Sequence, residues 1–245
     1  MKPTYLLLMT GLVAASCQKQ AAVEPAEVPD PNWVKLEIST EFSSDAAYSV
    51  AGDLDRTLLV ATKQKVYASS DQGKTWRESH DFNGPVPGLL QRHDTVFALT
   101  FTQTNALGQT VASFADIYTA DFGTTWHYTA ENYAYDEYRT MSRPIGLVTT
   151  AATTTYRIRE NSKPMPNSTS RLNTASDLLR LAGAVQKELG LPARHYLNNL
   201  HLDAQNRLYV AASGLRFDAT TGEAIPPEKG KKQPAILYVS RQPHP

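Results

Sequence analysis

A single cysteine stands among 245 residues, so no disulfide within the chain can staple this fold. Net charge is absent as well: 24 basic side chains balance 24 acidic ones. Without a dense basic face there is no electrostatic footprint for nucleic acid. The one local basic run, Lys229 to Lys232, follows Pro226-Pro227 and reads as a solvated loop. The six histidines show no zinc spacing, and His195 and His201 sit six apart. There is no Gly-x-Ser-x-Gly elbow and no phosphate-cradling glycine loop, so neither a metal nor a cofactor is expected. Long apolar runs are missing too. The run from Tyr5 to Val13 is too short for a comfortable membrane-spanning helix.

What is present begins with that run. Lys2 precedes it, and Ala14-Ala15-Ser16 follow it, just ahead of Cys17. A positive start, an apolar centre and small residues at the cut form an export signal. With cysteine next, the segment resembles the lipobox of bacterial lipoproteins, although Ala14 stands where that family prefers leucine. The resemblance implies a signal peptide over 1–16, a lipid on Cys17 and a membrane anchor in the bacterial cell envelope. Gln18, rather than aspartate, points on the same resemblance to the outer membrane. An ordinary cleaved signal with an incidental cysteine is the alternative. Residues 17–32, rich in Ala, Glu and Pro, read as a tether reaching about 40 Å.

Beyond the tether a motif repeats. Residues 69–76 read SSDQGKTW and residues 119–126 read TADFGTTW, both obeying Ser/Thr-x-Asp-x-Gly-x-Thr-Trp. An aspartate can accept hydrogen bonds from the N–H groups just after it and so close a loop on itself. Gly73 and Gly123 can take the positive φ of a tight reversal. The hydroxyls of Ser69, Thr75, Thr119 and Thr125 tack the edges, while Trp76 and Trp126 offer large faces for burial. Asp71 and Asp121 each bring one carboxylate, too few oxygens for a calcium loop. The reading is a structural hairpin. The motif resembles the Asp-box, or BNR repeat, of sialidase-like β-propellers and of several non-enzymatic propellers. That resemblance implies an all-β propeller over 33–245, with the boxes peripheral and away from any central site.

Strand-like segments recur at propeller spacing and give four blades, or five if the middle of the chain hides one. The last copy of the box, starting at Ser240, has lost its aspartate and glycine to Gln242 and His244. At the other end Trp33 stands where a box tryptophan would, ahead of alternating Val34, Leu36 and Ile38. This strand is expected to complete the last blade and close the ring. One helical insertion is expected at about 161–192. Leu178, Leu181, Ala182, Val185 and Leu189 fall on one helical face, Thr174 can cap its start, and Gly190 and Pro192 can end it.

Two candidate sites remain. Tyr156-Arg157-Ile158-Arg159 resembles the sialidase Phe/Tyr-Arg-Ile-Pro motif, which would make Arg157 a binder of substrate carboxylate. Arg159 replaces the proline, and the motif follows both boxes instead of preceding them. Such chemistry needs further arginines and a tyrosine activated by a glutamate; Arg139, Arg143 and Arg171, with Tyr135 or Tyr138 and Glu137, are the available groups. The other candidate is YTAENYAYDEY, in which Tyr128, Tyr133, Tyr135 and Tyr138 form a candidate binding surface among acids. Its alternative is an outer strand with rings packed between blades. The sequence favours a non-catalytic binding or scaffolding propeller whose partner is an envelope protein or a glycan. A glycan-binding or glycan-hydrolysing protein of the sialidase-like class is the alternative.

Overall fold

Four antiparallel sheets of four principal strands each follow one another along the chain and form a four-bladed β-propeller. The computed structural model describes residues 30–165 and 167–244, so the signal segment, Cys17 and most of the tether lie outside the described residues. The first strand, β1 (Trp33–Ile38), belongs to the last blade. Blade one is β2 (Ser49–Gly52), β3 (Leu58–Ala61), β4 (Lys65–Ser69) and β5 (Arg77–Asp81). Blade two is β6 (Gly88–Arg92), β7 (Thr95–Thr104), β8 (Thr110–Thr119) and the short β9 (His127–Tyr128). A 3-10 turn over Thr129–Glu131 and helix α1 (Tyr135–Thr140) follow, and β10 (Ser142–Pro144) then returns to the edge of β8.

Blade three is β11 (Leu147–Thr149) and β12 (Thr155–Arg159), a side hairpin of β13 (Ser162–Pro164) and β14 (Arg171–Asn173), then β15 (Asp177–Ala182) and β16 (Val185–Leu189). Blade four is β17 (Arg194–Leu202), β18 (Leu208–Phe217) with β19 (Ala224–Ile225) at its margin, and β20 (Ala235–Ser240). β1 supplies its outermost strand. It pairs antiparallel with β20 from Trp33 opposite Ser240 to Ile38 opposite Ala235, so the ring is closed by the two ends of the domain.

The core lies between blades because each short sheet must bury both faces. Three clusters span neighbouring blades. Ile38, Leu36, Leu237 and Tyr209 of blade four pack on Val50, Leu58 and Val60 of blade one. Leu59, Ala61 and Val66 pack on Val86, Leu89 and Val96 between blades one and two, and Tyr156 and Leu178 pack on Leu197, Leu208 and Tyr238 between blades three and four. The fourth cluster is different. Phe97, Leu99 and Tyr118 of blade two are covered by Tyr133, Tyr138, Met141 and Ile145, all from the segment between β9 and β11 that follows the same blade.

The helix expected within 161–192 is absent. Residues 177–189 instead form the hairpin β15–β16, with Ala182 opposite Val185 across a two-residue turn. Gly183 takes φ +57° there, as such a turn requires. Leucine, alanine, lysine and glutamate favour a helix in isolation, but β12 offers β15 a full ladder, and Leu178 and Leu179 are both buried on its two opposite faces. Tertiary pairing overrides propensity. Residues 161–173, expected as part of the helical insertion, also contain the β13–β14 hairpin. Helix α1 is the one α-helix among the described residues, and it lies in the tyrosine segment.

Ring closure has a direct test. Ile38 is fully buried in the seam between blades four and one. Ile38→Ala is expected to lower unfolding free energy by about 2–4 kcal/mol in urea titration. A loss under about 0.5 kcal/mol would make β1 dispensable to the core.

Candidate functional site

The first strands of the blades, β2, β6, β11 and β17, neighbour one another around the ring axis, and a guanidinium reaches in among them. Arg143 reaches inward from β10. One terminal nitrogen donates to Leu89 O at 2.6 Å and Val50 O at 3.4 Å; the other donates to Leu200 O at 3.1 Å and meets His201 Nδ1 at 3.2 Å. Its guanidinium therefore ties the innermost strands of blades one, two and four. No carboxylate lies within 4.0 Å of it among the described residues, and burial pushes its pKa down to about 10.

A cavity of about 730 Å³ opens from this plug to one end of the ring, a size typical of small-molecule pockets. Its wall is made by the turns after β2, β6 and β17, including Asp53, Arg56, His93, Asp94, Asp203 and Gln205. The ionisable groups nearest the plug are already engaged. His201 Nε2 faces Gly52 O at 2.8 Å, so this nitrogen carries the proton and Nδ1 accepts from Arg143. Burial, with the Arg143 charge beside it, holds His201 neutral at a pKa of about 3. Asp203 accepts from the N–H groups of Gln205 and Arg207, from Arg207 Nε at 2.6 Å and from the Tyr209 hydroxyl at 2.9 Å. Tyr209 in turn accepts from Leu54 N–H. General acid–base work needs a group free to exchange a proton with a ligand, and these are held by the scaffold.

The two repeated motifs form matching turns at the outer ends of blades one and two. In the first, Asp71 Oδ1 accepts from Thr75 N–H at 2.9 Å and from the Ser69 hydroxyl at 2.9 Å, while Oδ2 accepts from the Thr75 hydroxyl at 2.6 Å. In the second, Asp121 Oδ1 accepts from the N–H groups of Thr124 and Thr125 and from the Thr119 hydroxyl, with the Thr125 hydroxyl on Oδ2 at 2.7 Å. Gly73 and Gly123 donate to the Ser69 and Thr119 hydroxyls. Thr75 bonds hold the Asp71 carboxyl at about 2; burial works against Asp121, but its Thr125, Thr119 and Thr124 bonds bring it to about 2 as well. Both carboxylates are saturated from within their own turns.

Both glycines also press on the preceding blade. A Cβ on Gly73 would stand 2.7 Å from Leu36 of β1, and one on Gly123 would stand 2.3 Å from the Ser79 hydroxyl of β5. Ser79 and Arg77 donate to Gly123 O, and Trp126 Nε1 donates to Ser79 at 2.9 Å. Trp33 repeats this bridging in blade four by donating to Gly190 O of blade three.

The other sequence candidates separate. Arg157 is exposed on β12, opposite Leu147 of β11, and does not line the axial cavity. Arg139 lies over the Tyr135 ring on α1, and Arg171 binds Ser162 within the side hairpin. Of the four arginines considered, Arg143 alone lines the axial cavity. The tyrosines split as well. Tyr138 is buried edge-on to Phe114, and Tyr133 packs on Phe97 and Tyr118, so these two are core, because α1 folds back over blade two. Tyr128 and Tyr135 remain exposed, at 62% and 54%. His201 and Asp203 carried no signal in the sequence, since their roles arise from carbonyls and hydroxyls contributed by distant segments.

Fold and site together define a closed four-bladed propeller whose axis is plugged by a guanidinium. No family model matches the chain, and no curated protein matches it. Among solved structures it is similar to a streptogramin B lyase, at 14% identity over 79% of this chain and 58% of that one, with a TM-score of 0.23. It is also similar to an extracellular domain from B. thetaiotaomicron, at 10% identity over 78% of this chain and 30% of that one, with a TM-score of 0.24. The chain thus spans less than two thirds of either structure, and neither carries an activity over to it.

Two measurements follow from the buried imidazoles and the plug. Desolvation holds His195 at a pKa of about 4, as it holds His201 at about 3. An unfolded chain takes up protons near pH 6.5 that these folded histidines refuse, so stability is full above that value and drains as pH falls below it. The slope should reach about 1.4 kcal/mol per pH unit per histidine. Urea midpoints unchanged between pH 7.5 and 4.5 would contradict it. Second, Arg143→Met should cost about 2–4 kcal/mol, because it strands the carbonyls on the axis. In the same variant the His201 titration, followed by NMR, should move upward once the neighbouring cation is gone.

Proposed function

We propose that this chain is a non-catalytic binding and scaffolding propeller of the Asp-box type, held by a lipid on Cys17 at the bacterial cell envelope. The observation that carries the non-catalytic part is the saturation of the axial site. Arg143, His201 and Asp203 already serve the scaffold, so none of the three stands as a free acid or base at the cavity floor. The box aspartates are consumed in the same way. A ring that spends its ionisable groups on its own closure presents loops and edges to others. The binding surface in this reading is the outside of blade two, where Tyr128 and Tyr135 stand exposed above packed Tyr133 and Tyr138. Rigid aromatic rings on a buried aromatic base provide interface area at small entropic cost. The anchor and the tether rest on the order of residues 1–32 alone.

Crosslinking capture from the native envelope tests this. The lipidated protein should yield a dominant protein partner, reduced at least about tenfold in the paired variant Tyr128→Ala, Tyr135→Ala. Cys17→Ser should shift the protein from the membrane fraction to the soluble fraction. Hydrolysis of a sialoside panel that disappears in Arg157→Ala would overturn the reading in favour of a glycoside hydrolase.

A further inference from the structure

The strands on the outer rim of this propeller are guarded against edge-to-edge pairing. β5 carries Arg77, Glu78 and Asp81; β16 carries Lys187 and Glu188; β1 carries Lys35 and Glu37. β10 ends in Pro144, and the side hairpin carries Lys163, Pro164 and Arg171. Charge and proline at an open edge are the usual means of keeping sheets apart. β9 and β19 are only two residues long, and one longer stretch lacks both charge and proline. β7 outruns its inner neighbour β6, whose ladder ends at Gly88 opposite Leu99, and continues through Thr100-Phe101-Thr102-Gln103-Thr104. Phe101 to Thr104 pair with β8 on one side, the whole stretch pairs with no strand on the other among the described residues, and residues 101–104 are all exposed.

The direction of the open edge can be read from the ladder. Asn105 N–H donates to Gln109 O at 2.9 Å, toward the β8 side. In an antiparallel pair alternate residues face opposite neighbours, so Gln103 and Phe101 share the orientation of Asn105, while Thr104, Thr102 and Thr100 turn outward. No backbone hydrogen bond of Thr102 or Thr104 to a turn or loop is found among the described residues. Phe101, 60% exposed, leans on Phe114, which continues edge-on to Tyr138 and then Tyr135.

We propose that this edge is a self-association surface, where two copies of the chain join by antiparallel pairing of residues 100–104 about a two-fold axis through Thr102. Thr102 then meets its own copy, and Thr100 meets Thr104 of the second copy. Each of these outward pairs exchanges two N–H···O bonds. Phe101 lies opposite Gln103 across the closer, non-bonded pairs, so no like charges meet. A second copy is the occupant because the segment is complementary to itself in this register and carries no charge to repel its duplicate. The two β7–β8 hairpins become one four-stranded sheet, and the aromatic rows of the two copies run into each other. An edge of five residues is a small interface, which puts the association in the weak class.

Sedimentation equilibrium of the purified protein from about 1 μM to about 500 μM tests it. The average mass should climb from that of the monomer toward twice that value. Thr102→Lys, placed on an exposed edge that no other part of the fold uses, should remain monomeric with an unchanged melting temperature. Amide exchange at high concentration should protect Thr102 and Thr104 in the parent and not in the variant. A parent monomeric throughout, or a variant that dimerises equally well, would overturn the proposal.

Discussion

Six residue pairs between the two ends of the domain, from Trp33–Ser240 to Ile38–Ala235, are the interaction on which the rest of this protein depends. With one cysteine in the sequence, no covalent link stands in for them. β1 does more than occupy the outer place in blade four. Its Leu36 is the surface against which the first box glycine is seated, and its Ile38 joins the core between blades four and one. Losing that strand would expose an edge, hollow a seam and unseat the box of the neighbouring blade. A ring closed in this way has no part whose stability is purely local.

The boxes show how the ring is sewn. Each consumes its aspartate internally, which fixes the turn, and then uses glycine and tryptophan outward against the preceding blade. Positive φ and close approach are required at the same residue, so glycine is fixed twice over at 73 and 123. In blade four Gln242 and His244 stand where the repeated motif has aspartate and glycine, yet a tryptophan still bridges to the preceding blade. Trp33 supplies the indole from the far end of the chain, and His244 stacks on it and meets Tyr156 of blade three edge-on. Trp76 is the exception, with a buried indole nitrogen that finds no partner among the described residues.

Much of the architecture could be read from residue order because its signals are local. Alternating strands, turn residues at fixed offsets and a stray N-terminal strand led to four blades and a closed ring. Residues 174–190 could not be read in that way. Their apolar spacing suits a helical face, and the choice of strand was made by β12 and by blade four, which no local window contains. Gly183 in the middle of the supposed helix was the one local warning, since a glycine inside a helix costs about 1 kcal/mol. The axial site was less legible still. Arg143 could be named as one arginine among several, but its partners are main-chain carbonyls from three blades, and a carbonyl leaves no mark in a sequence.

Three of the four seams are fastened by clusters shared between blades, and the fourth is not. Between blades two and three the apolar surface of blade two is roofed by its own turn and helix, and no tryptophan crosses to blade three. In mechanical terms the ring has a built-in notch. Heated, this seam should loosen first, while the short link Ile145-Gly146 between β10 and β11 and the terminal clasp keep the four blades joined. A molecule that yields at a set place opposite its clasp can absorb strain without losing its ends.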